Sequence, residues 1–319
     1  MKHIVINNYG YFLGLKSNRM IVKKGDEIIN EYPLNRLKTI QISSTGVSLS
    51  SDLIFALSVR GIKTFFNTYN NHAALHSLYE HKNVIVKKSQ YESEINGKGI
   101  ELARHIILGK IKNQRSTLLY ASRKFIKESY IDIIYKLDEL IDMLKNKVEI
   151  DNSYILGIEG KAADIYFNGL KKLNLFPETF FIRTKRYSSE ITNISLNYGY
   201  AILENFIYKA LINAGLDPYF GMLHSLRSGK PSLVLDVMEE YRSFIVDRNI
   251  IKMKGRLETV KKFETVKKEV ASEVIKSISK TVKYNGRSLS VESVIQRQIY
   301  KISAYLCGNK KYKSYIFRW

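Results

Sequence analysis

Cysteine is nearly absent from this sequence. Cys307 is the only one among 319 residues, so no internal disulfide can form. A single thiolate also cannot build a zinc site that needs several cysteines. We therefore expect stability to come from the packing of apolar side chains. These make up 45% of the chain and suffice for two domains of ordinary size.

Long apolar runs are missing as well. No window approaches about 18 uninterrupted apolar residues, the length typical of a transmembrane helix. The first residues lead directly into Asn7 and Asn8, with no small-residue cleavage site nearby. Membrane-spanning and exported proteins usually carry such segments. We predict a soluble, cytoplasmic protein that has no membrane partner.

Several familiar catalytic motifs are also absent. The sequence contains no His-Glu-x-x-His, Gly-x-Ser-x-Gly or paired Cys-x-x-Cys motif, which excludes the zinc proteases, hydrolases and zinc fingers that carry them. Residues 157–162 place a lysine after a glycine but lack the spacing and the hydroxyl residue of a phosphate-binding loop. ATP is therefore not implied, and a site built from metal and carboxylates remains.

Negative charge is scarce relative to positive charge. Lysine and arginine total 51 against 30 acidic residues, which gives a formal net charge of +21. Residues 242–319 alone carry 19 basic and 6 acidic residues. Nucleic acid is the leading partner for such a chain, because basic side chains that neutralise phosphates supply affinity independent of sequence. An anionic membrane is the weaker alternative.

Short strands joined by tight turns are predicted for the first part of the chain. Alternating apolar residues and turn residues indicate strands at 3–6, 11–16, 20–24, 27–32, 37–42 and 62–66, with one helix that follows Ser50 and ends at Gly61. The close spacing predicts an antiparallel β domain that covers residues 1–86.

Helical periodicity dominates residues 87–319. Apolar residues recur at three- and four-residue steps in 101–127 and 130–148. Pro177, Pro218 and Pro231 fall where helices are expected to break. The predicted fold class is therefore α+β, with an N-terminal antiparallel β domain followed by a mostly α-helical catalytic domain.

One candidate site residue is Glu159, which lies among apolar and small residues in a helical pattern. A carboxylate in that setting is costly unless it is paired. The neighbouring Gly160, Ala162 and Ala163 would allow a ligand or another backbone to approach. The alternative is that Glu159 is a solvated helix residue or an ion-pair partner.

A second candidate site follows Pro231, which is suited to the first turn of a helix that carries Asp236 to Arg242. Asp236 and Glu239 are three residues apart and share a helix face, and Glu240 borders it. His224 precedes the helix in a loop that can fold back over it. The alternatives are a structural histidine and an acidic face that pairs with Arg242.

A divalent cation would explain acidic residues in so basic a chain. Carboxylates in a DNA-binding region repel phosphates unless a cation bridges the two. Carboxylate oxygens with one imidazole suit Mg²⁺ or Mn²⁺. Such an ion can activate a nucleophile and stabilise an in-line phosphoryl displacement.

Two long motifs resemble the CRISPR-associated integrase-endonucleases, the Cas1 family. They are GIEGKAADIYF at residues 157–167 and LHSLRSGKPSLVLDVMEEYR at residues 223–242. Shorter matches occur at ALSVRGI (56–62) and GKIKNQR (109–115), and at Asn193, Gly199 and Tyr200. The resemblance therefore covers almost the whole chain.

The resemblance implies a β domain that forms a homodimer and a helical domain that holds one metal ion. Glu159, His224 and Glu239 match the family's ligands, with Asp236 as a supporting acid. Family members insert protospacer DNA into the CRISPR repeat: a 3′-hydroxyl attacks a phosphodiester without ATP, and the small partner Cas2 joins two dimers. Metal-dependent DNA cleavage is a related activity of the family.

The sequence departs from the family pattern at residues 187–193, where family members often have a proline-rich loop. The candidates for DNA contact are Arg183, Lys185 and Arg186 before that loop, together with Arg227 and Arg242 beside the ligands. Arg242 has an alternative role as the partner of Asp236 or Glu239. Tyr166 and Tyr198 could stack on bases, although their helical pattern favours core positions.

Two other functions remain open from the residues alone. One is a non-catalytic, basic scaffold for nucleic acid whose acidic residues only stabilise helices. The other is a metal-dependent ribonuclease or structure-specific nuclease unrelated to integration. The scaffold predicts that Glu159, His224 and Glu239 lie too far apart to share one ion.

Overall fold

The structure is a computed structural model that describes residues 2–67, 72–75, 84–124, 130–184, 188–224 and 227–317. The chain divides into two compact units, Met1–Val84 and Ile85–Trp319. The division lies close to residue 86, where the sequence changes from strand-like to helical periodicity. Each unit has its own hydrophobic core.

The described residues of the first unit form two four-stranded sheets and one helix. Its elements are β1 (Lys2–Ile6), β2 (Tyr11–Lys16), β3 (Arg19–Lys24), β4 (Glu27–Pro33), β5 (Leu37–Ile42), β6 (Ser48–Leu49), α1 (Ser51–Val59), β7 (Lys63–Asn67) and β8 (His72–Leu75). The sheet orders are β1-β5-β7-β8 and β4-β3-β2-β6. The six predicted strands and the helix all occur, and the side chain of Ser50 accepts a hydrogen bond from the Leu53 N–H at the start of α1.

Strand pairing in this unit is mixed, which corrects the purely antiparallel pairing predicted from the sequence. The β2-β3-β4 meander is antiparallel. However, β1 and β5 are parallel, as are β5 and β7, and the short β6 pairs in parallel with β2. Parallel neighbours require a long connection. The meander supplies it between β1 and β5, and α1 supplies it between β5 and β7.

The second unit is mainly helical. Its helices are α2 (Val84–Glu92), α3 (Lys98–Ala121), α4 (Ile131–Asn146), α5 (Asn152–Lys172), α6 (Ile191–Asn213), α7 (Ser232–Met238), α8 (Arg248–Lys252), α9 (Lys254–Glu258), α10 (Lys267–Ser279) and α11 (Val291–Leu306). A π-helical turn, Ser243–Asp247, precedes α8. The fold is therefore α+β, a strand-rich region followed by a helical region, as the sequence predicted.

Helix α3 forms the centre of the second unit. It packs against α4, α5 and the π-helical turn, and Leu102, Ile106, Ile111 and Leu118 are fully buried on it. Because these elements surround α3, its other side chains also lie inside the unit, between α3 and its neighbours. No helix within the described residues is long and apolar enough to cross a bilayer.

A β-hairpin near the end of the chain was not predicted. Strands β9 (Thr281–Tyr284) and β10 (Arg287–Ser290) pair antiparallel. Asn285 and Gly286 connect them with positive φ angles of 48° and 77°. Asn-Gly is a favoured pair for such a two-residue turn, so the sequence did contain a signal for the hairpin.

Candidate active site

Glu159 and Glu239 face the same ammonium group. Glu159 lies on α5, Lys110 on α3, and Glu239 directly after α7. Lys110 Nζ is 2.5 Å from Glu159 Oε1 and 2.8 Å from Glu239 Oε2. Three distant parts of the sequence therefore converge, and the two carboxylates are close neighbours that share one cation.

This cluster is buried. The side chains of Lys110, Glu159 and Glu239 are 7%, 12% and 2% exposed. Burial raises the pKa of Glu239, but Arg242, Lys110 and His224 outweigh it and lower that pKa to about 2. Burial likewise acts to lower the pKa of Lys110, and Glu239 and Glu159 overcome it and raise the value. Glu239 and Lys110 are therefore both ionised at neutral pH.

Arg242 is the second basic partner of Glu239. Its Nη1 lies 2.8 Å from Glu239 Oε1, and its guanidinium lies 4.9 Å from the ring centroid of Tyr200. The structure thus shows the ion pair that the sequence analysis left open as one role of Arg242. Direct contact with phosphate remains a proposal.

The helix that was predicted to carry residues 236–242 is interrupted. Helix α7 ends at Met238, and Glu239 and Tyr241 donate their N–H groups to carbonyls only three residues back. The π-helical turn follows at Ser243. Such irregular turns often occur at functional sites. Here the side chains of the adjacent residues Glu239 and Glu240 have different partners, Lys110 and Tyr312 respectively.

Glu240 does not border the cluster, contrary to its predicted place on the same face. Its carboxylate Oε1 accepts a 2.5 Å hydrogen bond from the Tyr312 hydroxyl. Burial raises the pKa of Glu240 to about 8, although its hydrogen bonds to Tyr312 and Ser314 act in the opposite direction. Glu240 therefore belongs to the packing between α3 and the C-terminal segment.

Asp236 holds the loop that carries His224. Its buried carboxylate accepts hydrogen bonds from the backbone N–H groups of Met222, Leu223 and His224 at 2.6, 3.0 and 3.1 Å. Its Oδ1 also lies 2.6 Å from His224 Nδ1. A side chain at Gly221 would come within 2.9 Å of Asp236 Oδ2, so glycine permits this approach. His224 is thereby anchored through Nδ1, and within the described residues no hydrogen bond to its Nε2 is found.

These groups have the chemistry of a cation site but are arranged around an ammonium group. Among the described residues, no three acidic, histidine or cysteine side chains lie in positions to hold one metal ion together. Lys110 Nζ occupies the point between the two carboxylates instead. Glu239 Oε2 is buried and faces the Lys110 ammonium group at 2.8 Å. An oxygen of this kind fits a cation ligand.

A cavity of about 600 Å³ opens beside the cluster. Lys110, Glu159 and Glu239 line it together with Arg183, Arg242, Tyr200 and Asp247. Arg183 is fixed by hydrogen bonds of 2.9 Å to Asn193 Oδ1 and 2.6 Å to Asn197 Oδ1. The guanidinium groups of Arg183 and Arg242 lie 5.4 and 4.9 Å from the ring centroid of Tyr200. The cavity therefore combines carboxylates with fixed cations.

Asp247 lies on the π-helical turn and receives a 2.6 Å hydrogen bond from the Tyr200 hydroxyl. Burial raises the pKa of Asp247 to about 6, even though the hydrogen bonds from Tyr200 and Tyr166 favour the charged form. Tyr166 is fully buried and so occupies a core position, as its helical pattern favoured. Asp247 was missed in the sequence because a single Asp in an apolar segment has no motif.

Gly160 faces open space inside the cavity lining. A Cβ atom added there would meet nothing within 4 Å, and the same holds for Gly157 on the same helix, which is outside the lining. Glycine in a helix costs about 0.5–1 kcal/mol relative to alanine. The packing of the protein therefore does not require either glycine.

Replacing Gly160 by leucine should separate stability from function. Both Gly160→Leu and the matched control Gly157→Leu should raise the free energy of unfolding by about 0.5–1 kcal/mol. Only Gly160→Leu fills the cavity, so it alone should reduce the turnover of a substrate bound there, by about 10-fold or more. Denaturant titrations and an activity assay measure the two effects. Equal activity of the two variants would show that the substrate does not use this space.

The five predicted DNA-contact residues lie in three different places. Arg183 and Arg242 line the cavity, and Arg227 lies exposed in the turn before α7. Lys185, Arg186 and Tyr187 of the variant loop fall outside the described residues. Tyr198 packs edge-on against Phe263 with ring centroids 5.4 Å apart.

Lys110 was the main omission of the sequence analysis. It lies within the motif GKIKNQR, but no role was assigned to it. Its position three and four residues after the buried Ile107 and Ile106 predicts burial. A buried lysine in turn requires a carboxylate partner. That reasoning would have paired it with the buried acid Glu159.

Comparison with known proteins identifies the family. The sequence profile of CRISPR associated protein Cas1 matches residues 4–282. The chain is 42% identical over 322 residues to CRISPR-associated endonuclease Cas1 1 of Francisella tularensis subsp. novicida (strain U112), and the alignment covers 100% of both chains.

Two solved structures share the fold. One is a casposase bound to its integration product, which has 22% identity and a TM-score of 0.71 over 98% of this chain and 93% of that chain. The other is a chain of a partial Cas6-RT-Cas1–Cas2 complex, with 19% identity and a TM-score of 0.72 over 98% of both chains. Because the sequence profile covers most of the chain, this protein belongs to the Cas1 family of CRISPR-associated proteins.

Proposed function

We propose that the chain is the integrase of CRISPR adaptation, a divalent-metal-dependent DNA strand transferase and endonuclease. The main observation in support is that the carboxylates of Glu159 and Glu239 both contact one cation, the ammonium group of Lys110. The cavity beside them also contains Arg183 and Arg242. Membership of the Cas1 family supports the same reaction.

The donor set fits Mg²⁺ or Mn²⁺. Glu159 and Glu239 supply hard carboxylate oxygens, and His224 supplies an imidazole nitrogen, a combination both ions accept. His224 contributes to lowering the pKa of Glu239, which supports it as the third donor. When bound, a divalent cation polarises the phosphate and stabilises the charge that develops during displacement.

The protein's own residues orient the reaction. Asp236 accepts the hydrogen bonds that fix the His224 loop and engages His224 Nδ1, so that Nε2 is the free ligand atom. Arg183 and Arg242 are placed to bind nonbridging phosphate oxygens, because fixed guanidinium groups form strong paired hydrogen bonds with phosphate.

The proposed reaction exchanges one phosphodiester for another. A terminal 3′-hydroxyl of the protospacer attacks a phosphodiester of the CRISPR repeat. A bond to the attacking oxygen forms while the bond to a 3′-oxygen of the repeat breaks, and the proton lost by the first hydroxyl is balanced by one gained by the second. No nucleoside triphosphate is consumed, in agreement with the missing phosphate-binding loop. Water in place of the hydroxyl gives endonuclease cleavage.

A pair of DNA substrates that differ at one end tests this function. We expect strand transfer with a 3′-hydroxyl end in Mn²⁺ or Mg²⁺, and none with a 3′-phosphate end or in EDTA, because only the free hydroxyl can attack. Denaturing gels of labelled DNA show the joined product. Equal products from both ends would mean that the protein is a nuclease without strand transfer, and full activity in EDTA would exclude the metal.

The proposed partners are DNA, Cas2 and a second copy of this chain. A structural relative was solved with its integration product, and another belongs to a complex that contains Cas2. We extend these partners to this chain on the strength of the shared family. Because the reaction takes place on a genomic array, we propose a cytoplasmic location.

The β unit is the proposed dimerisation surface. Among its described residues, nine large apolar side chains are more than a third exposed, and Tyr9 and Phe55 are 75% and 69% exposed. Apolar surface of this kind marks protein interfaces. We expect Tyr9→Glu combined with Phe55→Glu to halve the mass measured by light scattering. Ile275→Glu, at an exposed apolar site on α10, is the control and should leave the dimer intact. A dimeric double variant would place the interface elsewhere.

A further inference from the structure

The loop that carries His224 is anchored at both of its ends. We call residues 217–224 the His224 loop. Its last three residues donate their N–H groups to Asp236, as described above. Its first four residues contact α2, the helix at the start of the second unit. The position of the imidazole therefore depends on two anchors, and Asp236 is only one of them.

Gln90 makes the contact between α2 and the loop. Its Nε2 donates to the carbonyls of Asp217 and Phe220 at 2.9 Å each, and its Oε1 accepts from the Asp217 N–H at 2.8 Å. The side chain is fully buried. Both N–H groups and the carbonyl of the amide are thus used by the loop backbone. Gln90 pairs with residues 217–220 much as a neighbouring strand would.

Two neighbours of this glutamine extend the contact along the loop. The hydroxyl of Tyr91 donates to Asp217 Oδ2 at 2.9 Å, and its ring packs edge-on against Phe220 with the centroids 5.0 Å apart. The buried hydroxyl of Ser93 lies 3.2 Å from Met222 Sδ. The contact with α2 therefore reaches from the first residue of the loop to a point two residues before the histidine.

Loss of the Gln90 amide would release the start of the loop. Two backbone carbonyls and one N–H group would lose a partner in a partly buried setting, which is unfavourable unless the backbone moves to find others. Such a movement would change the path of the chain into His224. Groups that orient a metal-binding histidine influence metal affinity even though they do not touch the metal.

We infer that Gln90 is a positioning residue for the metal site, because it sets the path of the His224 loop and through it the place of the imidazole. The inference rests on the proposed function, since it takes His224 as a ligand of the metal. It extends that function to a helix that contributes no residue to the described lining of the cavity. Its prediction concerns metal affinity and requires neither DNA nor turnover.

Gln90→Met tests the inference. Methionine keeps the length of the side chain and removes all three hydrogen bonds. The full chain with this substitution should bind Mn²⁺ about 10-fold more weakly than wild type, the lower end of the effect of losing an outer partner of a metal-binding histidine. The electron paramagnetic resonance signal of free Mn²⁺ measures the affinity. Equal affinity of the two proteins would overturn the inference.

Gln296→Met is the matched control. Gln296 on α11 donates to the Ala210 carbonyl and accepts from Asn213 Nδ2, both at 3.1 Å, so its amide also joins two elements. The same substitution there should destabilise the fold but leave the affinity for Mn²⁺ within about 2-fold of wild type. Equal losses of Mn²⁺ affinity in the two variants would mean that destabilisation alone weakens the site, and would overturn the inference.

A double variant tests whether Gln90 acts through the histidine. In a His224→Ala background, Gln90→Met should lower the remaining affinity for Mn²⁺ by less than about 2-fold, because the ligand that it positions is gone. A residue with a merely structural role would have the same effect in both backgrounds. A further loss of about 10-fold in the double variant would therefore contradict the proposed role.

Tyr91→Phe disturbs the same contact more mildly. Tyr91 is 44% exposed, so the fold should tolerate the loss of its hydroxyl, which breaks the hydrogen bond to Asp217. We expect the affinity for Mn²⁺ to fall by about 3-fold, the scale of one hydrogen bond. Unchanged affinity would contradict the inference even if Gln90→Met were too unstable to measure.

The results for wild type and variant separate this inference from the proposed function. If wild type binds no Mn²⁺, the proposed metal site is wrong and the inference falls with it. If wild type binds Mn²⁺ and Gln90→Met binds it equally well, only the inference is wrong and the proposed metal site stands.

Discussion

Glu239→Gln should reduce strand transfer by about 10³-fold or more, the scale on which loss of one member of a catalytic unit acts. The substitution keeps the shape of the side chain but replaces an anionic oxygen that faces the shared cation position with a neutral amide. Affinity for DNA should remain within a few-fold of wild type, because phosphate contacts elsewhere supply it. Single-turnover strand transfer and filter binding measure the two quantities.

The neighbouring residue provides a matched control. Glu240→Gln changes an equally buried acid, one residue further along, that lies outside the cavity. Because burial raises the pKa of Glu240 to about 8, it is mainly protonated at pH 7, and a neutral glutamine resembles it. Activity should therefore stay close to that of wild type. Similar losses in both variants would mean that Glu239 acts through structure rather than through the metal.

Lys110→Met should lower the free energy of unfolding in EDTA by about 3–5 kcal/mol, the cost of leaving buried charges without their partner. Without the ammonium group, the carboxylates of Glu159 and Glu239 face each other. Mn²⁺ can replace the lost charge, so it should raise the stability of Lys110→Met more than that of wild type, in which the metal competes with the lysine. Denaturant titrations with and without Mn²⁺ provide the measurement.

Lys112→Met is the control for this stability prediction. Lys112 lies two residues further along α3 and is partly buried, and no ion pair to it is found among the described residues. Its replacement should change stability by no more than about 0.5 kcal/mol and should not alter the response to Mn²⁺. If Lys110→Met behaves in the same way, the two carboxylates do not depend on a common cation.

Local patterns were sufficient to predict the helix and six of the eight strands described in the β unit, whereas the short strands β6 and β8 were missed. The turns at 17–18 and 25–26 require positive φ, and residues suited to that conformation are visible in the sequence. The pairing of the strands was harder to predict. Parallel contacts such as β1 with β5 join residues that the whole meander separates. No local pattern reports such distant contacts, so an antiparallel arrangement was inferred from close spacing alone.

The site could be predicted in part from its residue types. Glu159, His224, Asp236 and Glu239 were selected from motifs, and the structure joins them in two pairs: Glu159 and Glu239 contact Lys110, and His224 contacts Asp236. The interruption after Met238 could not be predicted, because residues 232–242 have a good helical pattern. Tertiary contacts of Tyr241 and Glu240 with buried surroundings override that local preference.

The two site residues that the sequence analysis missed have one property in common. Lys110 and Asp247 are buried charged residues whose partners come from other elements, so their role becomes visible only when α3, α5 and the π-helical turn are assembled. The β9–β10 hairpin, by contrast, carried an Asn-Gly signal and was missed because the surrounding segment was treated as helical.

The π-helical turn contains one more residue than an α-helical turn of the same rise, and this extra residue sets the rotation of everything that follows it. Deleting a single residue from Ser243–Asp247 would turn α8 by about 100° about its axis. Asp247 would then no longer line the cavity that contains Glu159 and Glu239. A family member that lacks this insertion should have its α8 rotated relative to that cavity.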